Sequence, residues 1–297
     1  MKCMLCPRAC GVDRSIAVGF CRLTETMLIG RIAPHLWEEP SISGKNGTGA
    51  VFFSGCTLRC VSCQNAEISH RNTGRYFSPS ELADSLRFLT ETGVHSVSLI
   101  TATPFVPQIL DTLKLYRPPL PIVWNTSGYE TQETLKMLDG IVDIYLPDLK
   151  HFSSVYSGRF ADAPDYFEKA SAAITEMCRQ TGPPVYDANG IMQRGTIVRH
   201  LILPGLTSES CRILTWIHDN LPSGTPVSLM SQYIPCEGSA ASDLGRRITK
   251  REYSRVLEYM LNLGLTGFTQ DRSSASGDYI PVFSRPESYI HASSCLQ

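Results

Sequence analysis

Three cysteines on one short loop have the spacing best suited to chemistry. In the segment SGCTLRCVSCQN, Cys56, Cys60 and Cys63 form a C-x-x-x-C-x-x-C array. Three thiolates on a tight loop can bind three irons of a cubane [4Fe-4S] cluster and leave the fourth iron without a protein ligand. An open iron is what a cofactor needs in order to chelate there and accept an electron by direct contact. A structural zinc site closes with four protein ligands, and an electron-carrying ferredoxin centre normally does too. The missing fourth ligand therefore points to a reactive centre.

A second group opens the chain. Cys3, Cys6, Cys10 and Cys21 form C-x-x-C-x-x-x-C followed, after ten intervening residues, by the last cysteine. Four thiolates close a tetrahedral zinc site or ligate a second iron–sulfur cluster. Zinc would fold a small knuckle that cannot hold itself together otherwise, and a cluster would relay electrons. The spacing leaves both open. The other cysteines, Cys178, Cys211, Cys236 and Cys295, are scattered singly. Cys178 and Cys211 fall in predicted helices and read as small apolar packing residues. Cys236 follows a predicted strand and is a candidate radical relay.

Elements of regular period must position these groups. After residue 48, short apolar runs alternate with amphipathic stretches, and strands are expected at 50–54, 96–101, 121–125, 142–146, 196–203 and 226–230. A helix opens at Ser78 and Pro79, an N-cap and first-turn proline, with Leu82, Leu86 and Leu89 on one face. Further helices are expected at 104–115, 131–138, 164–180, 208–220 (opening with Ser208) and 249–263. The last carries Tyr253, Leu257, Met260 and Leu261 on its inner stripe. Six β-then-α units imply a parallel sheet with helical crossovers, a barrel or a doubly wound sheet. Residues 183–195 read as an inserted turn, 1–48 as a separate cysteine-rich extension, 49–271 as the barrel and 272–297 as an irregular tail.

Composition bounds the partners. The 297 residues carry 27 basic and 28 acidic side chains, so neither nucleic acid nor an anionic membrane is the expected partner. A chain of this length buries about 75% of its unfolded surface and needs no disulfides to hold a core. The eleven cysteines, seven within the first 63 residues, then suggest metal in a reducing compartment. The start, MKCMLCPRACGVDR, lacks the apolar run of a signal peptide. No segment approaches the ~18 apolar residues of a membrane span. A cytoplasmic location is expected.

The cysteine motif resembles the signature of the radical S-adenosylmethionine (SAM) superfamily, in the branch similar to pyruvate formate-lyase activating enzyme. The resemblance spans roughly 48–270 and includes NTSGYE (125–130), DIYLPDLK (143–150), VRHLILPG (198–205) and LMSQYIP (229–235). It implies an α/β fold, a partial (β/α)6 TIM-like barrel with cluster and SAM at the C-terminal strand ends. The Gly-Gly-Glu-Pro usual after the second strand is replaced by Thr101-Ala102-Thr103-Pro104, so Thr101 and Thr103 match the positions that hold the methionine ammonium. Ser62 replaces the usual aromatic before the third cysteine. Asn125, Ser127, Asp148 and Lys150 match residues lining the cofactor site. Asp148 and Lys150, two residues apart on extended chain, point the same way, and they are expected to govern binding rather than folding. Arg199 and His200 alternate in a strand, so only one faces inward. Arg199 matches the family as a ligand for the methionine carboxylate, and His200 reads as a packed outer residue. Gln232 is a candidate for the ribose hydroxyls.

The chemistry implied is reductive cleavage of SAM to methionine and a 5′-deoxyadenosyl radical, with flavodoxin or ferredoxin as electron donor. Activation of a glycyl-radical protein is the first expectation, and modification of a peptide or small molecule the alternative. The contrasting class is an iron–sulfur or zinc-binding electron-transfer module without turnover.

Overall fold

In the computed structural model the described residues are 2–236, 238–239, 243–270, 281–283 and 288–289. Two elements precede the parallel strands. Strand β1 (Met27–His35) runs antiparallel to β2 (Thr48–Phe53), and a single turn of helix, α1 (Pro40–Ser43), lies between them. After β2 come α2 (Ala66–Ser69) and β3 (Arg75–Phe77), which pairs with the free edge of β1.

Then α3 (Pro79–Glu91), β4 (Val97–Ile100), α4 (Val106–Leu115), β5 (Ile122–Thr126), α5 (Gln132–Leu138) and β6 (Ile144–Pro147) follow in regular alternation. Two helices, α6 (Ser154–Ala161) and α7 (Tyr166–Thr181), lead to the hairpin β7 (Val185–Tyr186) and β8 (Met192–Thr196). The rest is β9 (Val198–Leu201), α8 (Thr207–Asn220), β10 (Val227–Met230), α9 (Lys250–Asn262) and β11 (Gly267–Thr269).

The larger sheet has the order β3-β1-β2-β4-β5-β6-β8-β7, and the smaller one β11-β10-β9. From β2 to β8 each barrel neighbour is parallel, as are the pairs β9–β10 and β10–β11. The two sheets are one wall. Only Ile197 separates β8 from β9, its N–H donates to Tyr145 O at 3.0 Å, and Leu149 N donates to Arg199 O at 2.8 Å. This is the partial (β/α)6 barrel expected from the sequence.

Barrel strands are buried on both faces, so alternation sorts side chains between two cores. Val51, Phe53, Trp124 and Tyr145 face the helical layer. Val123, Ile144, Leu146, Met192 and Ile197 fill the lumen, and Ile42 of α1 packs among them. Helix α3 starts where its sequence dictates: Ser78 accepts from Glu81 N at 3.2 Å, Glu81 accepts from Ser78 N at 2.8 Å, and Leu82, Leu86 and Leu89 are buried.

Several expectations are corrected. Residues 1–48 are not separate from the barrel, because Met27–His35 enters its sheet and α1 its lumen. The segment 183–195 is not a turn but the β7–β8 hairpin, closed by Asp187, which accepts from Asn189 N and Ile191 N at 2.8 and 2.9 Å. Helix α8 begins at Thr207 after an uncapped Leu206, not at Ser208. In α9, Leu261 is 62% exposed and Val256 takes the inner position. Of the 272–297 tail only 281–283 and 288–289 are described, with Phe283 against Phe52 and the Tyr289 hydroxyl donating to Ile29 O at 3.0 Å. Cys295 lies outside the described residues.

Candidate active site

The loop after β2 carries the three central cysteines. It leaves the strand through Gly55, at φ +76°, where an added Cβ would sit 2.2 Å from Leu23 Cδ1 and 3.0 Å from Cys21 O. Only glycine fits that turn. Backbone bonds then tie the loop down: Gly55 N to Ile68 O at 2.8 Å, Val61 N to Phe160 O at 2.9 Å and Cys63 N to Cys60 O at 3.2 Å. Cys63 Sγ lies 3.1 Å from Ser69 Oγ, and Leu58 N donates to Cys56 Sγ at 3.4 Å. All three are free thiols lining one cavity of about 710 Å³. Burial pushes Cys56 up to about 11 and Cys60 up to about 12.

Opposed charges face them. Asp148 follows β6 and receives Arg199 Nε of β9 at 2.9 Å on one oxygen and the Lys150 ammonium on the other. Arg199 also donates to Asn125 Oδ1 at 2.7 Å and reaches Glu38 Oε2 at 3.4 Å, while Asn125 Nδ2 donates to Glu38 Oε1 at 2.9 Å. Burial works against the Asp148 charge, but the two cations outweigh it and hold its carboxyl below the usual carboxylate range. Burial pushes Glu38 and Glu39 the other way, against the pull of Arg199. Glu39 Oε2 is buried on the cavity wall without a hydrogen-bond partner among the described residues.

Seven of the eight sequence-selected polar residues line this cavity: Thr101, Asn125, Ser127, Asp148, Lys150, Arg199 and Gln232. Thr101 adopts φ +60°, strained for a β-branched residue and found here at the mouth of a pocket. Ser62 lines the cavity as well. The Tyr166 hydroxyl accepts from Lys150 N at 3.0 Å and lies 2.7 Å from Ser127 O, fixing the loop after β6. His200 is outward and buried, with Nδ1 2.7 Å from Leu149 O and Nε2 2.9 Å from Ser210 Oγ, and burial lowers it to about 4. The Cys236 thiol donates to Val61 O at 3.1 Å and does not line the cavity. Glu38 and Glu39 were invisible to sequence reasoning; their one signal is a pair of acids beside Trp37 and Pro40.

Thr103 is the exception, and it is corrected. Its hydroxyl donates to Glu130 Oε1 at 2.6 Å in a closed cluster with Thr126 Oγ1 at 2.5 Å and Trp124 Nε1 at 3.4 Å. Burial pushes Glu130 up to about 7 despite these three bonds, and its Oε2 has no partner among the described residues. A raised folded-state value means the native protein binds a proton more tightly than the unfolded chain. Stability contributed by the neutral carboxyl is therefore lost as pH rises from about 4 to about 7. Urea unfolding should show wild type losing about 3 kcal/mol relative to Glu130→Gln between pH 4 and 8. Parallel pH profiles for the two proteins would refute it.

The N-terminal thiols sit on a lobe beside this site. Cys3 N donates to Val12 O at 2.9 Å and Gly11 N to Cys3 O at 3.1 Å. All four cysteines are free and half-buried. A Cβ on Gly19 would lie 3.4 Å from Cys10 Sγ and 3.6 Å from Cys21 Sγ, and Cys3 hydrogen-bonds Cys10. Arg8 clamps the lobe to the cluster loop, donating to Thr57 O at 2.8 Å and Ala161 O at 3.3 Å, with Phe20 stacked between Arg8 and Arg59 at 4.0 and 4.5 Å. Buried Arg14 donates to Leu23 O, Thr24 O and Pro104 O. Among the described residues, no three thiol, imidazole or carboxylate groups converge closely enough to hold a single metal ion.

Fold and site together define an α/β barrel with an open thiolate centre at the C-terminal ends of its strands. The profile of the Radical SAM superfamily matches residues 50–217, more than half of the chain, and the chain belongs to that superfamily. Membership makes it an enzyme of SAM-dependent radical chemistry and implies a [4Fe-4S] cluster and SAM as cofactors; a module without turnover is set aside. Three free thiols on one loop, with cations facing them, fit such a cluster.

The chain is similar to the uncharacterized protein MJ0674 of Methanocaldococcus jannaschii, 29% identical over 270 residues, covering 86% of this chain and 73% of that protein. A radical SAM methyltransferase from Sphaerobacter thermophilus shares the fold at TM-score 0.52 and 13% identity, covering 75% of this chain and 66% of that one. A domain of pyruvate-formate lyase-activating enzyme from Bacteroides vulgatus aligns at TM-score 0.40 and 13% identity, covering 65% and 91%. Among the described residues, no helix is long and apolar enough to cross a membrane.

Proposed function

We propose that Cys56, Cys60 and Cys63 hold the [4Fe-4S] cluster, that Asp148, Lys150 and Arg199 bind SAM beside it, and that the radical produced acts on a glycine of a partner protein. The observation that carries this reading is the single cavity with three thiols on one wall and the Arg199–Asp148–Lys150 network on another. When bound, the cluster supplies the electron that cleaves SAM to methionine and a 5′-deoxyadenosyl radical.

The chain's own residues bind and exclude water. Lys150 and Arg199 offer charged donors to a carboxylate, and Asp148, already paired, keeps both in place. Ser127 and Gln232 offer hydroxyl and amide groups for the cofactor's sugar. Leu201, Leu203 and Met230 give the cavity an apolar wall. Glu39 Oε2, without a donor among the described residues, suits an amide N–H or ammonium of the substrate, which favours a peptide. The sequence resemblance to the activating enzyme favours glycine within it. A flavodoxin or ferredoxin is the electron donor in this reading.

The test uses anaerobically reconstituted protein with reductant and SAM. Methionine and 5′-deoxyadenosine should form in equal amounts, and deuterium should pass to 5′-deoxyadenosine from a glycyl-radical enzyme labelled at glycine. Fully loaded protein that never cleaves SAM would overturn the central reading. Cleavage with label arriving only from other peptides or small molecules would support the alternative substrate class.

A further inference from the structure

We infer that Gln270, at the end of the edge strand β11, turns Gln232 so that it offers amide hydrogens, not its oxygen, to a ribose hydroxyl of SAM. The inference deepens the reading given above, in which Gln232 serves the cofactor's sugar, and it rests on that reading.

The strand is built to bring Gln270 there. It runs parallel to β10, with Val227 beside Gly267, Ser228 beside Phe268 and Leu229 beside Thr269. The close approach needs glycine: Gly267 has φ +142°, and an added Cβ would lie 2.1 Å from Val227 O. Gln270 follows the last paired residue, and its backbone oxygen accepts from the Tyr253 hydroxyl of α9 at 2.9 Å. Its side chain then lines the same cavity as Gln232 and Gln64. Both strands lie beyond residues 50–217, the stretch that matches the superfamily profile.

Hydrogen bonds fix which way each amide points. A backbone N–H can only donate, so the Gln270 atom 3.0 Å from Ser231 N is its oxygen. Its nitrogen is therefore the atom that faces Gln232, where it donates to Oε1 at 3.2 Å. With that oxygen occupied, Gln232 turns its N–H donors to the cavity. Among the described residues their contact is Met230 Sδ at 3.8 Å, a weak acceptor. Gln232 O meanwhile accepts from Gln64 Nε2 at 3.1 Å, one residue past Cys63. The strand end is thus tied to the cysteine loop, and the donors keep a fixed place relative to the three thiols.

An amide that presents hydrogens reads an acceptor, and a ribose hydroxyl oxygen supplies the lone pairs. Gln270 acts through Gln232 and is a positioning residue.

Dissociation constants for SAM and its 2′-deoxy and 3′-deoxy analogues, measured on the full chain after anaerobic reconstitution, test the scheme. Wild type should bind SAM about three- to tenfold more tightly than one of the two analogues, the worth of one neutral hydrogen bond. Gln232→Met should abolish that preference. Gln270→Met should do the same although Gln232 is intact, and the double variant should bind SAM no more weakly than the weaker single variant. Gln270→Glu keeps an oxygen for Ser231 N and loses only the donor, which separates positioning from a general disturbance of the strand. It too should lose the preference, and its added charge drops out of the ratio because all three ligands carry the same sulfonium. A purely structural Gln270 would lower stability and leave the preference at its wild-type value, which would overturn the proposal. A wild type indifferent to both analogues, or a Gln232→Met protein that still discriminates, would overturn it as well. Failure of the underlying reading shows separately, as cluster-loaded wild type that binds no SAM.

Discussion

Cys60→Ala should reduce 5′-deoxyadenosine formation to background and strip the central cluster, while the protein stays folded. Three thiolates are the fewest that anchor three irons, so losing one leaves two irons without protein ligands. The nearby Cys236 thiol is engaged by Val61 O and does not line the cavity. The loop itself should survive, because its ties run through backbone: Val61 N to Phe160 O and Arg59 N to Ala161 O at 3.2 Å. Circular dichroism should therefore match wild type while iron and sulfide analysis shows the loss. A variant with a complete cluster and a normal yield of 5′-deoxyadenosine would contradict the assignment of these ligands.

The second large effect belongs to Arg199. Its side chain is 15% exposed and serves Asp148, Glu38 and Asn125 together. Arg199→Met leaves Glu38 buried without its cation, and removing one partner of a buried pair costs about 3–5 kcal/mol. Urea unfolding at pH 7 should show that loss. Lys150 is different, because Asp148 keeps Arg199 when Lys150 becomes methionine. Lys150→Met should raise the SAM dissociation constant roughly ten- to a hundredfold, about 1.5–3 kcal/mol, with a much smaller stability change. Asp148, paired with both cations, is expected to support folding as well as the proposed binding, whereas the sequence alone leads to the expectation that it governs binding rather than folding.

The acid limb checks this. A carboxyl held below its ordinary value stabilises the fold above its unfolded value near pH 4, and that contribution is lost as pH falls further. Wild type should lose stability below pH 4 more steeply than Asp148→Asn. An Arg199→Met protein as stable as wild type would refute the buried ion pair, and an unchanged SAM affinity in Lys150→Met would place Lys150 outside the cofactor site.

What sequence could reveal follows from range. Strands β2, β4, β5, β6 and β10 are mostly apolar runs, legible because burial on both faces leaves few polar positions, and β9 carries Arg199 and His200 within a run that is otherwise apolar. Strand β1 escaped notice: Gly30 and Arg31 interrupt its pattern at a register shift against β2, and it adjoins the cysteine lobe. The cavity's polar residues at strand ends could be named because topology fixes where strand ends go. Thr103 misled because the left-handed turn at Thr101 redirects the chain into a 3-10 turn (Thr103–Phe105). Glu38 and Glu39 arrive from a loop whose route into the barrel is set by tertiary packing alone, and no local period encodes it.

That route has a consequence for how the protein forms. Ile42 packs against Val123, Ile144, Leu146, Met192 and Ile197, partners far along the chain. Contacts of such long separation are slow to form, because the intervening loop must be closed before they repay its entropy. The lumen cannot be completed until strands β5 to β9 exist, so the segment around α1, made first during synthesis, must wait for them. The barrel is thus sealed by its own early residues, and cutting the chain after residue 48 would remove not an appendage but the last piece to lock.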